Sequence, residues 1–429
     1  MTLLILGQTL AFEADPFAVP PEESARHSSR GGVLVEDGIV AALGEADALR
    51  ATHPRARVVD MGDALISAGF VDCHAHYPQT GIIASWGRRL IDWLNGYTFP
   101  EELRFSDPAY ARAQADLFLD LTLANGTTTA CCFATVHPES AEAIFAAAEA
   151  RGLRLAAGKV MMDRNAPDGL RDTPRSGYDQ SKTLIERWHG RGRLTYAVTP
   201  RFAPTSTPEQ LEAAGALWAE HPDCLMQTHL SEQPEEIAWV RELFPSDADY
   251  FAVYERFGLA GPGALMGHAI HLSEQERAAI LATGSGVAHC PTSNTFIGSG
   301  LCDVAGLKAA GVPVGLATDV GGGSSFSMLA TMRAAYEVGQ LRGHPLHPAQ
   351  LWWLATAGSA QAMRMSDKVG TLAVGMEADL VALDLAATPA LAQRSARARD
   401  VWEALFALVM LGDDRAVKQV WAAGREVRP

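Results

Sequence analysis

The feature that most limits how this chain can fold is an alternation of short apolar, β-prone runs with longer helical stretches. Strand candidates recur at Gly69–His74, Thr127–Phe133, Arg154–Val160, Thr195–Thr199, Cys224–Thr228, Ala264–Gly267, Gly286–Ala288 and Val314–Ala317. Helix-like segments such as Ser140–Ala150, Pro208–Ala219 and Glu274–Ala282 lie between them. Strand, helix and next strand make one βαβ unit, and eight strands alternating with helices predict an α/β fold, a (β/α)8 TIM-type barrel. Reactive side chains in that architecture collect at the C-terminal ends of the strands, so those ends are where chemistry is sought. With 429 residues the chain can form such a barrel and a smaller module besides.

The two ends of the chain read differently from its middle. Leu3–Ala11 is strand-like, and Gly32–Leu43 holds Glu36-Asp37-Gly38, a hairpin turn between apolar runs. Asp379–Leu383 and Val417–Ala422 repeat the β style near the C-terminus. Neither end could bury a core alone, so the two are expected to pair into one small β-sandwich. The expected division is 1–65 and 372–429 for that module and 66–371 for a catalytic barrel. Asp163–Ser181, rich in Arg, Asp, Pro and Gly, is expected to be a long surface loop near the barrel mouth.

Composition excludes several classes of partner. A hydrophobic fraction of 48% with 20% charged residues is that of a folded globular protein. The 35 basic and 50 acidic side chains leave a net charge of -15, and no basic run offsets it locally. Phosphate binding depends on clustered Lys and Arg, so nucleic acid is disfavoured as a partner. The apolar stretch Ala404–Leu411 is too short to span a bilayer, so no membrane partner is expected. Met1 to Leu6 lacks the basic flank and cleavage site of a secretion signal. The six cysteines form no Cys-x-x-Cys pair, which argues against a disulfide framework and leaves a cytoplasmic location as the default.

The first barrel strand ends in His74-Ala75-His76. Side chains alternate along a strand, so both imidazoles project to one side and could reach one metal. Taken alone the pair says little. However, His229 closes the fifth strand candidate, His268 the sixth, and Asp319 the eighth. Three imidazoles and a carboxylate make an N/O donor set suited to zinc or ferrous iron, with a position left for water. His268 could either ligate the metal or hydrogen-bond the attacking water, and we assign it the second role. Glu232, three residues after His229, is placed to carry protons between water, base and leaving group. It could equally belong to the acidic first turn of a helix with Glu235 and Glu236, and spacing does not separate the two readings.

Other motifs are set aside on chemical grounds. His137-Pro138-Glu139 has the His-x-Glu form of cytidine-type deaminases, but the Pro-Cys-x-x-Cys such a site needs is absent. It reads as a loop entering a helix. Gly321-Gly322-Gly323 and Gly298-Ser299-Gly300 fit no phosphate-binding pattern and are expected to allow close packing. Trp352-Trp353 is expected to be helix packing.

Gly69 to Gln79, Thr199-Pro-Arg-Phe-Ala-Pro204, Gln227-Thr-His-Leu-Ser-Glu232, His289-Cys-Pro-Thr-Ser-Asn294 and Thr318-Asp-Val-Gly-Gly-Gly323 together resemble the guanine deaminase family of the amidohydrolase superfamily. Trp93 to Pro100, Val136 to Ser140 and Ser325 to Leu329 extend the likeness. It runs from about residue 66 to 371 and more loosely into both ends. Ala68 and Gln233 depart from the usual pattern, and neither bears chemistry. The resemblance implies His74, His76, His229 and Asp319 as ligands of one divalent metal, zinc before ferrous iron. It makes Glu232 the proton shuttle, and with Asp319 and the position-assigned His268 this completes the expected catalytic set. Gln79, Arg201 and Phe202, with His229 and Glu232, would hold a purine.

The implied reaction is hydrolysis of guanine to xanthine and ammonia, in a homodimeric enzyme whose partner is otherwise only the small purine. The fourth strand ends Ala197-Val-Thr-Pro-Arg201, without the lysine that bridges two metals in binuclear amidohydrolases, which favours one metal. Two alternatives remain at this point. One is a deaminase of 8-oxoguanine, adenine, cytosine or a triazine; the other is a non-catalytic paralogue acting as a binding or assembly protein. Adenine lacks the O6 acceptor that Arg201 would read, and metal content would separate an enzyme from a scaffold.

Overall fold

The computed structural model describes residues 2–87 and 89–427, and two hydrogen-bonded sheets organise them. Strand β1 (Thr2–Phe12) pairs antiparallel with β2 (Ala25–Glu36), which turns back into β3 (Ile39–Glu45). The turn falls at Asp37-Gly38, with φ of 50° and 85°, the left-handed pair that a tight hairpin demands. On the other side of β1, β4 (Arg57–Ala68) runs parallel to it.

The barrel follows. Its strands are β5 (Phe70–His76), β6 (Thr127–Phe133), β7 (Arg154–Gly158), the short β8 (Val160–Met161), β9 (Leu194–Pro200), β10 (Leu225–Leu230), β11 (Ala264–His268), β12 (Gly286–His289) and β13 (Val314–Leu316). Every predicted barrel strand is present. The third is divided at Lys159, whose buried ammonium turns aside to Asp172 at 2.6 Å. Parallel pairing runs β5-β6-β7-β9-β10-β11-β12-β13, with β8 also on β9. Asp319 N–H donates to the His74 carbonyl (2.9 Å) and His76 N–H to the Val320 carbonyl (2.6 Å), joining the last strand to the first. The seam of the barrel therefore runs between segments that carry the expected ligands.

Small side chains, among them Cys73, Cys131, Ala156, Ala197, Ala288 and Ala317, fill the barrel interior. The segment after β13 closes its N-terminal end, where Val71 N–H donates to Ala355 O (2.9 Å). Helix starts agree with local chemistry: Asp107 caps Pro108–Ala124, and Ser273 with Glu276 forms a capping box on Glu274–Thr283. The expected loop at 163–181 is a loop only in its first part, because a helix (Pro174–Trp188) begins inside it. Thr173 caps that helix through Ser176 N–H, and Pro174 takes a first-turn position, where its missing N–H costs nothing. The composition that reads as a loop is in part a helix start.

Beyond the barrel, β14 (Leu380–Leu383) pairs antiparallel with β4, and β15 (Val417–Ala422) and β16 (Arg425–Val427) follow it. The chain ends thus share one seven-stranded sheet, ordered β16-β15-β14-β4-β1-β2-β3. Two helices in the C-terminal stretch, Pro389–Ser395 and Val401–Leu411, were not foreseen from sequence. The second carries the apolar run near the C-terminus and buries it against helix Met328–Leu341, with Phe406 and Tyr336 ring centroids 4.8 Å apart. No helix among the described residues is long and apolar enough to cross a membrane. Trp352 packs edge-on to Phe70 and donates to Ser67 Oγ (2.9 Å), while Trp353 meets Phe12, so the pair joins barrel to sheet.

The junction between sheet and barrel is also ionic. Glu377, just before β14, accepts from Arg154 Nε (2.8 Å) and from Arg193 Nη2 (2.6 Å), and Arg193 also reaches Asp379. These side chains are largely buried, between 1% and 14% exposed. Glu377→Ala strands the Arg154 guanidinium in that setting and leaves Arg193 with only Asp379 and the Gly152 carbonyl, and breaking a buried pair typically costs about 3–5 kcal/mol. We expect a clear fall in the thermal unfolding midpoint with metal content unchanged, since Arg154 and Arg193 sit at the N-terminal ends of their strands. An unchanged midpoint would refute the assignment.

Candidate active site

His74 and His76 end β5, and their Nε2 atoms lie 3.2 Å apart. His229, on β10, brings its Nε2 to 3.2 Å from that of His76. Asp319 Oδ1 stands 3.4 Å from His74 Nε2 and 3.3 Å from His76 Nε2. Ligands about 2.0–2.1 Å from a tetrahedral ion are spaced about 3.3–3.4 Å apart, so this donor set fits a single metal ion. His229 Nδ1 lies 2.7 Å from the Arg201 carbonyl, which can only accept, so Nε2 is left as a bare lone pair facing the cluster.

Burial lowers the His74 pKa to about 4 and that of His229 well below the ordinary value, with neighbouring imidazoles adding to the shift for His229. Burial alone would raise Asp319, but hydrogen bonds from His74 and His76 and the charge of His268 hold it well below the usual carboxylate range. His74 and His229 are therefore neutral and Asp319 ionised, the protonation states in which such groups bind metal.

The chain is strained where it carries this cluster. Ser231, His268, Ala269 and Asp319 have φ of 47°, 68°, 47° and 50°. Non-glycine residues adopt the left-handed region at a cost of about 1–3 kcal/mol each, and only where the surroundings over-determine it. Here Ala269 N–H is held by Leu230 O and Asp319 N–H by His74 O, both at 2.9 Å. Gly267 is needed for space: a Cβ there would lie 2.8 Å from His74 Cε1.

His268 Nδ1 pairs with Asn294 Oδ1 at 2.8 Å, turning Nε2 toward Glu232 Oε2 (3.6 Å) and Asp319 Oδ2 (3.8 Å). Burial works against charge on His268, but the two carboxylates outweigh it and raise its pKa. Glu232 is buried, which raises its pKa, and its Oε1 accepts from Ser299 Oγ at 2.8 Å. Its backbone N–H and that of Gln233 both donate to Glu236 Oε2, at 2.9 and 3.1 Å. Tyr250 OH donates to the other oxygen of Glu236 at 2.7 Å.

His76, His229, Glu232, His268 and Asp319 line one cavity of about 430 Å³ with Gln79, Arg201, Phe202, Leu90, Trp93 and Leu94. Arg201 is buried rather than exposed, and its Nη1 donates to both oxygens of Glu102, at 3.0 and 2.7 Å. Gln79 Nε2 donates to Glu102 Oε1 at 3.1 Å. All the sequence-predicted site residues thus come together. Glu102, Ser299 and Glu236 were missed as parts of the site, and Asn294 was seen only as part of a motif. His137, by contrast, precedes helix Pro138–Arg151, as the loop reading expects.

Comparison with known proteins agrees with this architecture. Residues 65–427 match the amidohydrolase family, and residues 31–56 match the imidazolonepropionase-like composite domain of bacteria. The guanine deaminase of Escherichia coli is 45% identical over 95% of this chain and 94% of its own. The solved E. coli enzyme superposes with a TM-score of 0.96, covering 99% of each chain at 43% identity. A guanine deaminase from C. acetobutylicum, solved with guanine in its active site, superposes at 0.91 over the whole of both chains at 27% identity. The chain belongs to the amidohydrolase family, in its guanine deaminase branch.

Proposed function

We propose that this chain hydrolyses guanine to xanthine and ammonia with one divalent metal. The observation that carries the proposal is that residues of a metal-type donor cluster, the buried Glu232 carboxyl and a buried arginine line the same cavity. His74, His76, His229 and Asp319 would hold the ion, and their N/O chemistry suits zinc before ferrous iron. When bound, such an ion supplies hydroxide from water at neutral pH by lowering the water pKa from about 15.7 toward ~7.

The chain's own residues do the rest. Asp319 Oδ2, facing His268, accepts the proton of the attacking water. Glu232 donates its proton to purine N3 as the C2–O bond forms and regains one from the new C2 hydroxyl as that becomes the carbonyl, while the proton held on Asp319 passes to the C2 amino group, which leaves as ammonia when the C–N bond breaks. His268 Nε2, between the two carboxylates, steadies the charge on each. Phe202 packs against the ring, and Arg201 donates to O6 and N7 at the end of the base away from C2. That is the pairing geometry arginine uses on guanine in DNA.

The proposal treats 66–371 as the catalytic unit and, following the family resemblance, the enzyme as a cytoplasmic homodimer. The six cysteines are all buried and free, in keeping with a reducing compartment. Incubating the protein with guanine and following ultraviolet absorbance tests the activity directly. Xanthine and ammonia should appear in equal amounts, and no conversion would refute the reading.

Arg201→Ala tests the recognition. Hydrogen bonds to a charged group contribute about 1.5–3 kcal/mol, so kcat/KM for guanine should fall roughly 10- to 150-fold. The melting temperature should fall as well, because the Glu102 carboxylate loses its buried partner. Unchanged kcat/KM would refute the role.

A further inference from the structure

We propose that Glu102 is a specificity-determining residue that fixes the polarity of Gln79, so that the pocket accepts purines bearing N1–H and rejects those whose N1 is an acceptor. The inference rests on the guanine-deaminating reading above and deepens it.

Glu102, Gln79 and Arg201 are 1%, 2% and 3% exposed, so none can satisfy itself with bulk water. An ionised carboxylate only accepts hydrogen bonds. Glu102 Oε1 takes one from Arg201 and one from Gln79 Nε2, and Oε2 takes another from Arg201. On the other side of the same amide, the Gly321 backbone N–H, which can only donate, faces Gln79 Oε1 at 3.4 Å. Gln79 thus stands between an obligate acceptor and an obligate donor. Its orientation follows from those two neighbours, and the reversed amide would oppose like groups at both ends. Gln79 consequently keeps its oxygen on the Gly321 side, toward the Asp319 end of the cavity.

Placement of the base gives that oxygen its meaning. Gly321 is two residues from Asp319, and Glu102 binds Arg201, so Gln79 spans the pocket from the metal-type cluster to the arginine. A purine with C2 at the cluster and O6 toward Arg201 has two flanks between those points. Glu232 serves the N3 flank, which leaves N1 for Gln79. Guanine carries hydrogen on N1 and pairs with the Gln79 oxygen, whereas a 6-aminopurine presents a lone pair there and is repelled. Glu102 touches no substrate and acts through its two neighbours.

Glu102→Gln is the test. A glutamine can donate or accept, so Gln79 becomes free to rotate and present its NH2. The measurement is the ratio of kcat/KM for guanine to that for 2,6-diaminopurine. Where turnover of the second is too slow, its Ki against guanine, taken relative to the KM of guanine, replaces it. These ratios do not depend on the fraction of protein folded. We expect the wild type to favour guanine and the variant to lose about tenfold or more of that preference, because a mispaired buried group costs binding to one base and not the other. An unchanged ratio in a variant that still deaminates guanine would overturn the inference and leave the proposed function standing. A wild type that turns over no guanine would overturn the proposed function itself, and this inference with it.

Discussion

Glu232→Gln should keep its fold and its metal and lose about 10²–10⁴-fold in kcat, the usual worth of a positioned proton-transfer group. Glutamine matches glutamate in size, and its carbonyl can still accept the Ser299 hydroxyl that now meets Oε1 at 2.8 Å. The turn that carries it stays in place, because Glu236 holds the backbone N–H groups of residues 232 and 233 rather than the side chain. What glutamine cannot do is release and recover a proton. Burial raises the Glu232 pKa, which keeps the acid form populated nearer neutral pH, where a proton donor to N3 is needed. The loss should fall on kcat, with KM for guanine changing little, because recognition lies mainly with Arg201 and Gln79. A variant with near wild-type kcat would show that another group moves the proton.

Stripping the metal with a chelator should abolish turnover entirely. About one equivalent of zinc per chain, measured by elemental analysis, should restore it. His74, His229 and Asp319 do not relieve the loss by taking up protons near neutral pH: burial lowers His74 to about 4 and His229 well below its ordinary value, and Asp319 stays ionised. Three converging imidazole nitrogens and a carboxylate are then left facing one another at 3.2–3.4 Å. The stripped protein should also melt at a lower temperature, since a ligand bound only by the native state stabilises it by mass action. Full activity after complete removal, or a requirement for two ions per chain, would overturn the single-metal reading.

The ligands were legible because each closes a β-run, and the end of a barrel strand is a position that apolar periodicity marks without any alignment. Glu232 was ambiguous from spacing, as a carboxylate in a helix's first turn looks the same whatever it does. In the structure it precedes helix Pro234–Leu243, with Glu236 in that first turn, and its own side chain lines the cavity. Glu102 was invisible for a different reason. It stands beside an exchangeable-looking Glu101 and meets its partners only through tertiary contact, 23 residues from Gln79 and 99 from Arg201. The C-terminal helices were missed because β-like runs on either side dominated the reading of that stretch.

The sheet that joins the two chain ends has a consequence for the order in which the protein is made. β4 lies between β1 and β14, so the N-terminal strands leave the ribosome with one edge still waiting for a partner more than 300 residues downstream. Until β14 arrives, the β4 edge is open to pairing with another chain. Arg154 and Arg193 wait in the same way for Glu377, separated from it by 223 and 184 residues. Contacts of such long range slow the final closure. A translation product cut short before β14 therefore holds every residue of the catalytic cluster while lacking the strand that seals its fold.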